Sequence, residues 1–144
     1  MAGTLFAAAG VPEMVPENAR YDTRYKRSAK WDAVSGDFVR DGANRIAECD
    51  GREAFAIWCF KTAQTERYRC AAYPDSIGTE MERAMASDDA KTVESMVQRT
   101  VTDALMVNPR TEYVRDFVFS WEGDQMHCTF SVKGIGQEEF TVTL

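Results

Sequence analysis

The sequence has little of what catalytic or metal-binding chains usually carry. It has one histidine, and its four cysteines, at positions 49, 59, 70 and 128, show no C-x-x-C spacing. Zinc sites of the usual kind draw four Cys or His ligands from close pairs, so the sequence predicts none. It also lacks a glycine-rich phosphate loop and a serine nucleophile elbow. We therefore expect no metal, no cofactor and no catalytic residue.

An excess of positive charge is also missing. The chain has 17 Lys and Arg against 23 Asp and Glu, a formal net charge of -6, whereas nucleic-acid binders usually carry a basic patch. The mildly apolar opening, residues 1–9, has no basic start and is too short to span a bilayer. We expect no nucleic-acid partner, no membrane partner, and a chain made in the cytosol with reduced cysteines.

Residues 1–29 show no clear periodicity and are predicted to form an extended N-terminal arm. They contain a short basic and aromatic run whose cations are Arg20, Arg24, Lys26 and Arg27. Such a segment has too little apolar patterning to fold alone. It is either a disordered tail or an arm that orders on a neighbouring molecule, with these cations in contact.

Residues 30–144 are predicted to form one α+β domain with an N-terminal β-hairpin, two to three helices and a C-terminal three-stranded antiparallel meander. Asp41 and Gly42 mark the hairpin turn. Asp50 and Glu53 have the spacing of a capping box, which predicts a helix start there. That helix carries one apolar stripe, formed by Phe55, Trp58, Cys59, Thr62 and Ala63. Its remaining large apolar residues, Ile57 and Phe60, lie outside the stripe, which is typical of a buried central helix.

A second, short helix is predicted from Thr79 to Met85, and a third after Ser87, Asp88 and Asp89. The third has seven residues on one face: Val93, Met96, Val97, Thr100, Val101, Ala104 and Leu105. Pro109 disfavours helix at the residue before it and therefore fixes the helix end.

The remainder of the chain alternates in polarity, as half-buried strands do. Three strands are separated by turns at Gly123 and at residues 134–136. Their apolar positions are Phe117, Phe119 and Trp121, then Met126, Cys128, Phe130 and Val132, then Phe140, Val142 and Leu144. The last strand, Gln137 to Leu144, is predicted to be an exposed edge, which is a template for pairing with another chain.

Few residues are of a type and in a position that suggest a catalytic or binding role. His127 falls on the polar face of a strand, so a solvated side chain is favoured over a catalytic base. Glu66 and Arg67 form either a surface ion pair, which contributes little, or a buried pair that fixes a loop or a subunit contact. Paired carboxylates fall on helix surfaces, caps and the edge strand, so glycosidase chemistry has no distinctive support. The tryptophans are expected to share one core.

The order of elements and several motifs resemble the baseplate wedge family of contractile tails. That family includes the sheath-connecting wedge protein of T-even phages, and the similarity extends to baseplate proteins of PBSX-type prophages. It covers residues 30–133. The matching residues are Trp31, Asp32, Gly36, Asp37, Phe38, Asp50, Gly51, Ala54, Ile57, Trp58, Thr65, Glu66, Arg67, Tyr68, Tyr73, Gly78, Thr79, Glu80, Ala104, Leu105, Pro109, Arg110 and Phe117.

The resemblance implies a structural baseplate wedge subunit that initiates sheath assembly by strand exchange, in six copies around a central tube. Phe140, Val142 and Leu144 would set the register of that exchange. The implied partners are the sheath protein, other baseplate wedge proteins and tube or hub proteins. Assembly in the host bacterial cytoplasm, as part of a virion or tail-like particle, is implied as well. Because some relatives have been labelled lysozyme-like, the alternative is a peptidoglycan-cleaving tail enzyme.

The resemblance also implies an assembly interface, with one departure from the family pattern. Its residues are Glu66, Arg67, Tyr73, Asn108, Pro109 and Arg110. The wider family carries Glu-Pro-Arg at the corner after the long helix, where this chain has Asn108. The roles of the proline and the arginine carry over to this chain, whereas the acidic role at position 108 does not.

Overall fold

Ten elements follow one another along the part of the chain that the computed structural model describes, residues 25–144. The strands are β1 (Ser28–Ala29), β2 (Trp31–Asp32), β3 (Asp37–Phe38), β4 (Glu48–Cys49), β5 (Thr111–Glu122), β6 (Gln125–Gly134) and β7 (Phe140–Thr143). The helices are α1 (Gly51–Gln64), α2 (Met81–Ala84) and α3 (Ala90–Met106). The predicted α+β class, with a small N-terminal hairpin and a C-terminal meander, is confirmed.

The four shortest strands fold the start of the domain back on itself. β1 pairs with β4, and β2 pairs with β3, both antiparallel. The carboxylate of Asp41 accepts hydrogen bonds from the main-chain N–H groups of Ala43 and Arg45, both at 2.9 Å. Asp side chains commonly stabilise turns in this way. The turn predicted at Asp41 is therefore present, and a second turn at Gly36 closes β2 onto β3.

Helix α1 begins after Asp50, as predicted, but the predicted capping box does not form. The Asp50 side chain makes no cap hydrogen bond. Glu53 instead pairs with Lys30, with 3.0 Å between the ammonium nitrogen and the carboxylate oxygen. The capping prediction was wrong because this ion pair to a distant residue takes the carboxylate away from the helix start.

Helix α3 has the buried face that its period predicts. The Asp89 carboxylate accepts from the Thr92 N–H at 3.0 Å and caps the helix start. Val97, Val101 and Leu105 are completely buried, and burial of such a side chain contributes about 1.5–3 kcal/mol. The helix ends at Met106, ahead of the proline, as predicted.

The C-terminal strands form an antiparallel sheet in the order β5-β6-β7, so β6 is central and β5 and β7 are its edges. Cys128, Phe130 and Val132 of β6 are completely buried on the inner face. Helix α3 contacts β5, helix α1 contacts β7, and the two helices contact each other. The core therefore lies between one sheet face and a layer of two helices.

The tryptophans do not share one core, contrary to the prediction. Trp58 packs against the core and stacks on Phe55, with ring centroids 6.2 Å apart. Trp31 lies on β2 over the ammonium group of Lys61. Trp121 is more than one-third exposed and its indole N–H donates to a surface carboxylate of α3. The prediction was wrong because an aromatic ring at a sheet or hairpin border stays partly outside the core.

The loop between α1 and α2 is closed at its base by hydrogen bonds. The Thr79 N–H donates to the Thr65 carbonyl, and the Arg67 N–H donates to the Thr79 carbonyl, both at 2.8 Å. The buried Thr79 hydroxyl donates to the Ala63 carbonyl at 3.1 Å. The Arg67 guanidinium donates twice to the Gly78 carbonyl, at 2.9 and 3.1 Å. These bonds fix both ends of the loop.

Glu66 contributes to the same loop base from the other side. Its carboxylate oxygen accepts from the main-chain N–H groups of Met81 and Glu82, at 3.1 and 3.3 Å, and so caps the start of α2. The sequence predicted that Glu66 pairs with Arg67, either at the surface or buried. Instead, each side chain bonds to main-chain groups, and in this way both fix the loop. A role in a subunit contact stays a prediction.

We expect Gly78→Ala to lower the free energy of unfolding more than Gly36→Ala does, because positive φ alone costs each variant about 1–3 kcal/mol and only Gly78 adds a steric clash. Gly78 has φ +101°, and an added Cβ would lie 2.6 Å from the Thr65 carbonyl oxygen. Gly36→Ala is the matched control, because Gly36 also has positive φ (+67°) but no atom within 4 Å of such a Cβ. Urea denaturation of both variants measures the difference. Equal losses would contradict the close approach at Gly78.

We also expect Glu66→Ala to destabilise the fold by about 1 kcal/mol, as loss of a helix cap does. Glu82→Ala is the control, because Glu82 is exposed and its ion pair with Arg69 lies at the surface. That change should cost less than about 0.5 kcal/mol. Thermal melting distinguishes the two variants, and an unchanged melting temperature for Glu66→Ala would argue against the cap.

Candidate functional site

The site residues predicted from the sequence lie in three regions of the described chain. They are Lys26, Arg27, Asn108, Pro109 and Arg110 at the corner after α3, Glu66, Arg67 and Tyr73 in the loop after α1, and Phe140, Val142 and Leu144 in or beside β7. Two further predicted contacts, Arg20 and Arg24, lie outside the described residues. The structure thus brings the end of the predicted arm to the corner.

The corner between α3 and β5 is shaped by Asn108. Its side-chain oxygen accepts from the Arg110 N–H at 3.0 Å, and its carbonyl accepts from the Thr111 N–H at 2.9 Å. The Thr111 hydroxyl donates to the Leu105 carbonyl at 2.7 Å, which satisfies an acceptor at the helix end. Asn and Asp side chains form such turns with the main chain two residues on. Asn108 therefore has a local structural role at this corner.

A pocket of about 300 Å³ opens beside this corner, and we call it the corner pocket. Its apolar part comes from Phe55, Trp58, Ile77 and Val107, and its cations are Lys26, Arg27 and Arg110. Tyr25 completes it, and its hydroxyl donates to the Ile135 carbonyl at 2.8 Å. Burial raises the pKa of Tyr25, while the positive charge of nearby Arg110 acts in the opposite direction. The pocket combines apolar surface with positive charge, which suits an acidic segment with an apolar anchor.

Strand β7 is hydrogen-bonded on one side only among residues 25–144. Both main-chain groups of Leu144 bond to Cys128, at 2.8 and 3.2 Å. Since main-chain direction alternates along an antiparallel strand, Val142 also faces β6, whereas Thr141 and Thr143 direct their N–H and C=O groups away from it. Neither threonine was among the site residues predicted from the sequence. The alternation of polarity along a strand predicts on which face of the sheet each side chain lies. It does not predict toward which side of the strand the main-chain N–H and C=O groups point.

A groove of about 380 Å³ runs beside this free edge, and we call it the edge groove. Residues from three elements and one turn line it: Phe140, Thr141, Val142 and Thr143 of β7, Glu53, Ala56, Ile57 and Phe60 of α1, Trp31 of β2, and Ala33. The Lys61 ammonium lies 4.2 Å from the Trp31 ring centroid and 4.8 Å from that of Phe38. These cation–π contacts hold the hairpin against α1, so the wall opposite β7 is fixed in place.

The other edge of the sheet is interrupted. The pairing of β5 with β6 shifts between Arg115 and Val118, and Asp116 adopts φ +57°. A bulge of this kind bends the strand and increases its twist, which protects an edge from pairing. The ion pair between Arg115 and Asp116, at 3.2 Å, places charge at the same point. A regular open edge is therefore offered by β7.

The single histidine lies at the surface, and Cys59 and Cys128 lie in the core. His127 is exposed and lies 3.8 Å from Glu122 at the surface. Burial raises the pKa of Cys128 to about 11 and that of Cys59 further still, so both thiols stay protonated near neutral pH.

Across residues 25–144, no group of His, Cys, Asp and Glu is arranged to hold a metal ion. Within the same range, no helix has both the length and the apolar character to cross a membrane.

Comparison with known proteins identifies the family. The chain is similar to the phage-like element PBSX protein XkdS of Bacillus subtilis (strain 168), with 30% identity over 87 residues. That alignment covers 58% of this chain and 60% of the relative, so the chain spans about three-fifths of the relative's length. A family model described as contractile injection system sheath initiator matches residues 27–137. The match includes the corner, the loop after α1, and the sheet as far as the turn before β7. The chain belongs to the contractile injection system sheath initiator family.

Proposed function

We propose that this chain is a structural baseplate wedge subunit of a contractile phage tail or tail-like injection particle. In this role it initiates the sheath by exchanging a strand with the first ring of sheath subunits. One observation carries the proposal: the main-chain groups of Thr141 and Thr143 point away from the sheet at a regular open edge. Extended segments commonly bind proteins by adding a strand to such an edge.

The side chains that alternate with these threonines support the same role. Val142 is buried, and Phe140 and Leu144 pack against the core. They anchor β7 so that its edge is held in a fixed register before a partner arrives. A rigid edge loses little conformational freedom when a strand is added, which favours binding.

The corner and the loop after α1 serve, in this proposal, as contacts with other baseplate proteins. The corner pocket is rimmed with positive charge, and Tyr73 is exposed on a loop whose base is fixed by hydrogen bonds. An aromatic side chain presented on a rigid loop is a common anchor at protein interfaces. The partners are the sheath protein, other wedge proteins and tube or hub proteins, with six copies of this chain assembled per particle in the host bacterial cytoplasm.

We predict that Arg110→Ala reduces particle assembly more than it reduces the free energy of unfolding. The Arg110 main chain shapes the corner and is kept in the variant, whereas the charge of the corner pocket falls. Arg99→Ala is the control, because Arg99 is exposed on α3 and pairs with Asp103 outside this pocket. Thermal melting and the yield of assembled tails are the measurements. Normal tail yield from Arg110→Ala would contradict the proposed contact.

We predict that Thr143→Pro yields baseplates with tubes but no sheath. The proline removes an N–H that the β6–β7 ladder does not use, and edge strands tolerate proline at such positions. The chain should therefore fold, while strand addition loses a donor and meets the proline ring. Thr143→Ala keeps the N–H and should give sheathed tails. Negative-stain microscopy distinguishes the two variants, and sheathed tails from the proline variant would show that this edge is not the joint.

A further inference from the structure

We infer that the edge groove selects the strand that the sheath subunit contributes. The groove requires an extended segment with uncharged, apolar side chains at two alternate positions. Ile57 and Phe60 of α1 would contact those two side chains. The inference rests on the proposed function, because it takes for granted that a sheath strand pairs with β7. It adds which side chains of this chain recognise that strand and what chemistry they accept.

The position of α1 relative to β7 leads to this inference. A strand added to an antiparallel sheet lies about 4.8 Å from its neighbour, and every second side chain points to the same face. On the inner face, α1 packs over β7, with the rings of Phe55 and Phe140 5.8 Å apart. Ile57 and Phe60 lie on a side of α1 that, together with Thr141 and Thr143, lines the edge groove. The inward side chains of an added strand would therefore meet that side of α1.

The composition of the groove defines what it accepts. Its side chains from α1 are Ala56, Ile57 and Phe60, with one carboxylate, Glu53, which is already paired with Lys30. A charged side chain that entered the groove would lose water and find no unpaired opposite charge in its lining, which is costly. An apolar side chain would cover half-buried apolar surface, which is favourable.

The described part of the free edge offers pairing positions for a short segment. The main-chain groups of Thr141 and Thr143 point to the open side of β7, and each residue supplies one N–H donor and one C=O acceptor. A partner strand in register with them places two inward side chains, at positions i and i+2, over the groove. Trp31, held by Lys61, closes the far side. The structure thus assigns the groove to a short segment with two apolar side chains on one face.

The test uses the full chain, displayed densely on a biosensor surface, and the purified sheath protein of the same particle as the probe. Ile57→Asn should weaken binding at least tenfold, because it places an amide where an apolar side chain would lie. Ile46→Asn is the matched control: Ile46 is partly exposed on the N-terminal hairpin and is not part of the groove lining. Binding by that variant should equal wild type. Ala56→Glu, a helix-compatible change in the same groove, should also lose at least tenfold, and melting of every variant confirms folding.

The outcomes separate the two claims. If Thr143→Pro abolishes binding while folded Ile57→Asn and Ala56→Glu bind within twofold of wild type, the proposed function stands and the inference about the groove is overturned. Because the chain is displayed densely, sheath subunits that hold each other can bind several edges at once. If the wild-type chain still does not bind the sheath protein, or Thr143→Pro binds as well as wild type, the proposed function itself fails. Dimerisation of the wild-type chain that Thr143→Pro abolishes would assign the groove to a second copy and would also overturn the inference.

Discussion

The aromatic packing around Phe55 is the interaction on which the rest of the structure depends. Its ring meets those of Tyr25, Trp58 and Phe140 at centroid distances of 5.3, 6.2 and 5.8 Å. A Cβ at position 134 would collide with the Tyr25 hydroxyl and press on the Phe55 ring, so this packing favours glycine at Gly134. These contacts join the start of the domain, α1 and the last two strands. Because they fix α1 over β7, one side of the helix faces the core and another faces the edge groove.

Much of the fold could be predicted from the sequence because burial imposes a period on it. The face of α3 and the alternating strands follow directly from that rule, and both are confirmed. The spacing of residues along the chain predicted local hydrogen bonds less reliably where a residue far along the chain binds the same side chain. The spacing of Asp50 and Glu53 predicts a cap, but Glu53 pairs with Lys30 instead. Similarly, Glu66 caps a helix that begins fifteen residues later along the chain, and no local pattern indicates it.

The candidate site was predictable only in outline. The prediction pointed to the corner and the last strand, but it named Phe140, Val142 and Leu144, whose side chains pack in or against the core. The main-chain groups at the open edge belong to Thr141 and Thr143, because the hydrogen-bond register of β7 on β6 determines which residues point outward. The position of Ile57 outside the apolar stripe of α1 led to the prediction of a helix buried on all sides. In the structure Ile57 lines the edge groove, and the sequence does not show that β7 lies beside α1. The bulge at β5 was equally hidden, although it leaves β7 as the regular open edge.

The energetics of this edge explain why a groove is needed beside it. Two N–H and two C=O groups face outward on Thr141 and Thr143, and a net gain of about 0.5–1.5 kcal/mol per hydrogen bond gives about 2–6 kcal/mol. Association costs about 4–15 kcal/mol in lost translational and rotational freedom. Two buried apolar side chains add about 3–6 kcal/mol, which brings a single joint close to balance. Under the proposed function, such a joint would hold a lone sheath subunit weakly, whereas a ring whose subunits also hold each other would raise the effective concentration at every edge. Sheath growth would then begin only where several copies of this chain are already arranged in a baseplate.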